Sequence, residues 1–195
     1  MKLPNLIGIA GTAGSGKDTL ADQLVRQHEF DKRGFSDPLK AGIQAMFALT
    51  PNVWGSREYK ETPLGGIGVS PRRLMQTLGT EWGRDAVDPD LWINVMRQHW
   101  DNMFSFYRGT PNLVIPDVRF DNEAEWIRSE GGSVILVERP YKNVEVETHS
   151  SEDGLLAANL DGVVYNNSDI ITFLQNGIYT LRKLAGDTSA DWHSV

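Results

Sequence analysis

Three glycines and a lysine stand at fixed spacing in Gly11-Thr12-Ala13-Gly14-Ser15-Gly16-Lys17, and such a run can hold phosphate. Gly11, Gly14 and Gly16 let successive backbone N–H groups converge on phosphate oxygens, and Lys17 reaches the terminal phosphates of a nucleoside triphosphate. The context fits. An apolar run, Leu6-Ile7-Gly8-Ile9-Ala10, precedes the loop, and Leu20, Leu24 and Val25 after it share one helical face. Strand, glycine loop and helix define a P-loop, with the helix N-terminus adding its dipole. The plain alternative is a glycine-rich turn with an exposed lysine. After Lys17, where Ser or Thr would bind magnesium, stands Asp18, with Thr19 next. A carboxylate at this position suits Mg²⁺, either directly or through water. As the alternative, Asp18 is an acidic residue favoured in any helix first turn.

A second charged cluster is Asp117-Val118-Arg119-Phe120-Asp121-Asn122-Glu123, which follows the apolar run Asn112-Leu113-Val114-Ile115-Pro116. Asp117 then sits at the carboxyl end of a buried parallel strand, where open α/β sheets bind ligands. Its structural alternative is capping of the helix over 122–129. Lys40 falls in the first turn of a helix opened by Ser36-Asp37-Pro38, where a phosphate partner or plain solvent would explain it. Arg72 and Arg73 begin a helix capped by Ser70. Trp92 lies in a stripe with Leu91, Val95, Met96 and Trp100; such stripes are usually core, but a first-turn Trp92 can also stack on a base.

The elements that must position these residues alternate. Strands are expected at 6–10, 29–35, 112–116, 133–137 and 162–165. Helices are expected after the P-loop, from Pro38 to Phe47, from Pro71 until near Gly79, over 91–100, over 122–129 and from Asp169 to Leu184. Thr50-Pro51, Gly55, Thr62-Pro63 and Gly65-Gly66-Ile67-Gly68 mark 50–70 as irregular chain. The polar stretch 141–153 contains Thr148-His149-Ser150-Ser151-Glu152, which suits a capping box or a lid contact, with Ser150 or Ser151 capping a short helix over 155–158. Asn166-Asn167-Ser168 reads as a turn, and 186–195 as a frayed, flexible tail. Five strands alternating with helices predict an α/β fold: a three-layer sandwich with a five-stranded parallel sheet, helices on both faces and a small mobile helical substrate lobe at about 40–106. Residues 1–185 are expected to form a single domain with that lobe inserted.

The 195 residues, 40% of them hydrophobic, suffice for one such domain. Without cysteine there is neither a disulfide framework nor a thiolate metal site. A net charge of −7 argues against nonspecific grip on nucleic acid. No apolar run approaches a membrane span or a signal sequence, so a soluble cytoplasmic location with no membrane partner is expected.

Taken together, the P-loop with Gly16-Lys17-Asp18-Thr19, Phe35-Ser36-Asp37-Pro38-Leu39-Lys40, Arg72-x-Leu74-Met75-Gln76-x-Leu78-Gly79-Thr80-Glu81, Asp90-Leu91-Trp92 and Asp117-Val118-Arg119-Phe120-x-Asn122-Glu123 resemble the bacteriophage deoxynucleoside monophosphate kinases. The resemblance covers about residues 5 to 184. It implies transfer of the ATP γ-phosphoryl group to a deoxynucleoside monophosphate, with ATP and Mg²⁺ as cofactors, in the host cytoplasm if the gene is a phage's. It implies that Gly14, Gly16, Lys17, Asp18 and Thr19 hold ATP and magnesium. Lys40, Arg72, Gly79, Thr80, Trp92, Asp117, Arg119 and Glu123 match the family's acceptor positions. Lys17, Arg72 and Arg119 would neutralise charge, and Asp117 would orient magnesium-bound water or the acceptor. A homodimer is compatible with the resemblance, with Trp54 or Trp126 as exposed contacts. Two rival readings share the P-loop: a dephospho-coenzyme A or adenylate kinase, and a non-catalytic nucleotide-binding switch.

Overall fold

The computed structural model describes residues 2–107, 109–140, 155 and 157–187. The chain forms two compact units, one of residues 1–34 with 100–195 and the other of residues 35–99.

The first unit is built on a parallel five-stranded sheet of β1 (Leu6–Ala10), β2 (Asp31–Lys32), β3 (Leu113–Val118), β4 (Ser133–Glu138) and β5 (Gly162–Tyr165), in the order β2-β3-β1-β4-β5. All five residues of β1 are buried, because a central parallel strand is covered on both faces. Its side chains divide between those faces. Ile7 and Ile9 join a core with Val137 of β4, Leu20 and Leu24 of helix α1 (Lys17–His28) and Phe173 and Leu181 of helix α7 (Ile170–Leu184). On the other face a Cβ at Gly8 would come within 2.7 Å of Ile127 on helix α6 (Asp121–Ser129), so glycine admits that helix. The expected five-stranded parallel sheet with helices on both faces is therefore present.

The expected second strand over 29–35 shrinks to two residues, Asp31 and Lys32, which pair with Leu113 and Val114. Both are exposed and polar, so no apolar pattern marks them as a strand. In the β1–β3 pair, Gly8 faces Ile115 but Ala10 faces Val118, an extra residue on β3. Pro116 lies in that interval, has no N–H for the ladder, and coincides with the bulge. The tail expected from 186 starts later, since the Asp187 carboxylate accepts from Arg182 Nε at 3.0 Å and from the Lys2 backbone N–H at 3.3 Å. Residues 188–195, the stretch 141–153 and the caps proposed at Ser150 and Ser151 lie outside the described residues. Trp126 is not exposed as expected: it lies on the inner side of α6 and is only 4% accessible. Trp54 is half-buried.

The second unit carries α2 (Asp37–Phe47), α3 (Arg57–Glu61), α4 (Pro71–Gln76) and the first part of α5 (Leu91–Phe106). The stretch 50–70 is less irregular than its glycines and prolines suggest. Pro51–Trp54 forms a 3-10 turn, and Ser56 caps α3 by accepting the Tyr59 N–H at 3.1 Å. Ser70 caps α4 as expected, accepting the Arg73 N–H at 3.2 Å. The expected stop near Gly79 does not occur. The chain runs on as a π-helical stretch from Thr77 to Val87, a rare winding that often marks functional sites. The Trp92 indole N–H donates to the Gly79 carbonyl at 2.7 Å, and a Cβ on Gly83 would approach the Trp92 ring to 2.6 Å. Here the two glycines admit an indole instead of ending the helix.

Candidate phosphoryl-transfer site

At the carboxyl end of β1 the chain turns through the glycine loop into α1. Gly11 and Gly16 have φ of 136° and 114°, and Gly14 has φ of 74°, values that side-chain-bearing residues rarely adopt. Space excludes side chains as well, since a Cβ on Gly11 would lie 2.3 Å from the Val137 carbonyl oxygen. Lys17 folds back over the loop, donating to the Gly11 carbonyl at 2.5 Å and the Thr12 carbonyl at 2.7 Å. Its ammonium is thus held against the carbonyls that open the loop.

A cleft of about 460 Å³ opens beside this loop. It is walled by Gly11, Thr12, Ala13 and Lys17, by Val118 and Arg119 after β3, and by Leu136 to Pro140 at the end of β4. This is the carboxyl edge of the sheet, where parallel α/β folds bind ligands. Arg119 is exposed at the rim. Asp117 stands half-buried at the bulge, and a Cβ on Gly34 would come within 2.7 Å of its carboxylate, so glycine lets the β2 connection pass close to it.

Glu123 is buried at 2% exposure, and its carboxylate accepts the backbone N–H groups of Arg119 at 2.8 Å and Phe120 at 3.2 Å. It fixes the turn that presents Arg119. Asp18 is in the first turn of α1 and its carboxylate lies 2.9 Å from Lys32 Nζ, which also meets Asp22 at 3.0 Å. Burial alone would lower the Lys32 pKa, but its hydrogen bonds and charge pairing with Asp18 and Asp22 outweigh it and raise the pKa. Thr19 follows in the same turn, half-buried. Among the described residues no group of three or more His, Cys, Asp or Glu side chains could hold a metal ion.

The structure therefore brings Gly11, Gly14, Gly16, Lys17, Asp18, Thr19, Asp117, Arg119 and Glu123 into the first unit, most of them around the loop. Lys40, Arg72, Gly79, Thr80 and Trp92 belong to the second. There, Lys40 pairs with Asp37 at 2.9 Å, Arg72 lies 3.7 Å from Glu61, and Gly79 is buried with Thr80 half-buried beside it. Trp92 is 9% exposed and supports the π-helical stretch from within. Arg84, which the sequence presents only as part of a helix end, is buried at 8% and donates to the Pro89 carbonyl at 3.0 Å. Two residues near the loop were not singled out from sequence: Lys32, lone basic residue of a short strand, and Asn166, an amide just beyond the end of β5. Their signal is position alone, since both approach the loop through long-range contacts.

A glycine loop with its lysine at the carboxyl end of the central strand of a parallel sheet defines a P-loop nucleotide-binding fold. The model of the deoxynucleotide monophosphate kinase family matches residues 66–176. A putative deoxynucleotide monophosphate kinase of Acanthamoeba polyphaga mimivirus is 37% identical, over 86% of this chain and 91% of that protein. The deoxynucleoside-5'-monophosphate kinase of Escherichia phage T5 is 32% identical, over 89% of this chain and 94% of its own length. The solved structure of TT1252 from Thermus thermophilus, 18% identical, superposes with a TM-score of 0.49 over 91% of this chain and 95% of that one. The chain belongs to the deoxynucleotide monophosphate kinase family.

Proposed function

We propose that this chain moves the γ-phosphoryl group of ATP to a deoxynucleoside monophosphate, giving the diphosphate and ADP. It is a kinase of its family, and the observation carrying the assignment is the loop at the end of β1, with three glycines at positive φ and Lys17 closing over it. An oxygen of the acceptor phosphate forms the new bond to the γ-phosphorus. The bond from that phosphorus to the β,γ-bridging oxygen breaks, and ADP departs. Such a transfer needs alignment and charge neutralisation more than covalent help.

In this reading Gly11, Gly14, Gly16, Lys17 and Thr19 hold the triphosphate, and Asp18 serves Mg²⁺ directly or through water. Magnesium supplies charge neutralisation on the β- and γ-phosphates. Lys17 and Arg119 stabilise charge on the transferring group from the chain's own side. Lys40, Arg72, Gly79, Thr80 and Trp92, together with Asp117, Arg119 and Glu123, receive the acceptor, and Asp117 orients it. Lys32 then tunes Asp18, since its ammonium competes with a metal for the same carboxylate. The net charge of −7 supports a free nucleotide as acceptor over a nucleic acid polymer. No helix among the described residues is long and apolar enough to cross a membrane.

The test is ADP formation from Mg-ATP with dAMP, dGMP, dCMP, dTMP and 5-hydroxymethyl-dCMP offered separately. Formation that depends on one or more of the five supports the reading and defines the bases accepted. Bound ATP with no turnover on any of them would redirect the search to another small acceptor, dephospho-coenzyme A first, or to a switch role.

A further inference from the structure

The P-loop is held from outside by one side chain of the β5–α7 turn. Asn166 Nδ2 donates to the Ser15 carbonyl oxygen at 2.7 Å, across 151 positions of sequence. Asn166 is itself fixed, because its backbone N–H donates to the Glu138 carbonyl at 2.7 Å at the end of β4. The rest of the turn is tied by Asp169, whose carboxylate accepts from the Ile171 and Thr172 N–H groups at 2.9 and 3.0 Å and from the Thr172 hydroxyl at 2.6 Å. On the loop side, a Cβ at Gly16 would lie 2.7 Å from Asn166 Nδ2 and 3.1 Å from the Phe173 ring. Phe173 is 1% exposed, so the loop rests on a rigid floor.

Resting on the phosphoryl-transfer reading above, we infer that Asn166 is a positioning residue that sets the Ser15–Gly16 peptide with its N–H facing the phosphates. The described chain has no cis peptide, and a trans peptide directs its C=O and N–H oppositely. A carbonyl anchored to Asn166 therefore turns the Gly16 N–H away from Asn166 and toward the loop mouth. Gly16 has no Cβ to resist rotation, and at φ 114° its backbone does not choose one orientation by sterics alone. Without the amide donor, the peptide is free to flip its carbonyl toward the phosphates, replacing attraction with repulsion. Ser15 offers no substitute anchor: its hydroxyl is buried, lies against Gly11 and has no hydrogen-bond partner.

The experiment measures binding of Mg-ATP and of inorganic tripolyphosphate by calorimetry in wild type, Asn166→Ala, Asn166→Asp and Asn167→Asp, together with kcat and both KM values. Asn166→Asp keeps the shape and loses the donor, while Asn167→Asp places the same charge on the exposed neighbour. The expected result is a loss of about tenfold in affinity for both ligands in Asn166→Ala. Asn166→Asp should lose at least as much and Asn167→Asp clearly less, with KM for the deoxynucleotide unchanged within about twofold. Weakened ATP binding with unchanged tripolyphosphate binding would assign Asn166 to the nucleoside instead and overturn the inference. So would equal affinities in all four proteins. Wild type that binds neither ligand would overturn the phosphoryl-transfer reading, and the inference with it. Should Asn166→Ala fail to fold, the comparison of Asn166→Asp with Asn167→Asp decides alone.

Discussion

Lys32 Nζ lies 2.9 Å from Asp18 Oδ1, so the acid that follows Lys17 is tethered to a strand at the sheet edge. A carboxylate that binds a metal is shared with whatever cation already sits on it. Lys32→Ala should therefore lower the Mg²⁺ concentration giving half-maximal rate, by about two- to fivefold given the modest worth of partly exposed pairs. Asp18→Ala should raise it. A magnesium titration of ADP formation measures both, and identical curves for the two variants would remove Asp18 from the metal site.

The same pair predicts a flat pH response. The Lys32 pKa is raised above its ordinary 10.5, so its contribution to stability is complete below that value and is lost as pH rises through the raised one. Between about pH 6 and pH 9 the ammonium stays charged. The stability difference between wild type and Lys32→Ala, from urea unfolding, should be constant across that window.

Lys17→Ala should abolish turnover, removing the ammonium that bridges the loop carbonyls. Arg72→Ala should slow it by about a hundredfold or more while ATP binding survives. Initial rates and ATP calorimetry on the two proteins separate the roles. An Arg72→Ala enzyme with the wild-type rate would take Arg72 out of the acceptor set.

Removing Glu123 should be felt first in stability. Glu123→Ala strands two backbone N–H groups at the start of α6, which costs about 1–3 kcal/mol in denaturant unfolding. Glu123→Gln keeps an accepting oxygen and should cost less. A rise in deoxynucleotide KM in Glu123→Gln with unfolding unchanged would show direct contact with the acceptor instead.

Trp92→Phe retains the ring but leaves the Gly79 carbonyl without the indole donor, a loss of about 1 kcal/mol. Trp92→Ala also empties the space against Gly83 and should cost about 3–5 kcal/mol. Trp82, 49% exposed with its ring 6.4 Å from that of Trp92, should tolerate alanine far better. Thermal unfolding of the three variants orders them.

The apolar strands were legible in the sequence because β1, β3 and β4 are covered on both faces and leave continuous hydrophobic runs. β2 was drawn too long because Asp31 and Lys32 carry no such pattern. The P-loop was legible because its three glycines and lysine stand at a fixed local spacing, and positive φ favours glycine there. The π-helical winding was hidden: hydrophobic spacing does not report an i→i−5 ladder, and its support by Trp92 comes from 13 positions away. Long-range pairings such as Lys32 with Asp18 and Asn166 with Ser15 depend on register between strands, which local spacing does not encode. Glu123 reads from the sequence as an acceptor position by resemblance and not as a backbone anchor, since a reach back to the Arg119 N–H is visible only once the turn is formed.

The two-residue strand β2 also bears on how this protein behaves when crowded. An unpaired sheet edge invites a strand from another molecule, and natural proteins blunt it with brevity and charge. Asp31 and Lys32 do both, and Lys32 is further occupied by two carboxylates of α1. That border of the sheet is a poor template for edge-to-edge aggregation, even where the protein is made in quantity.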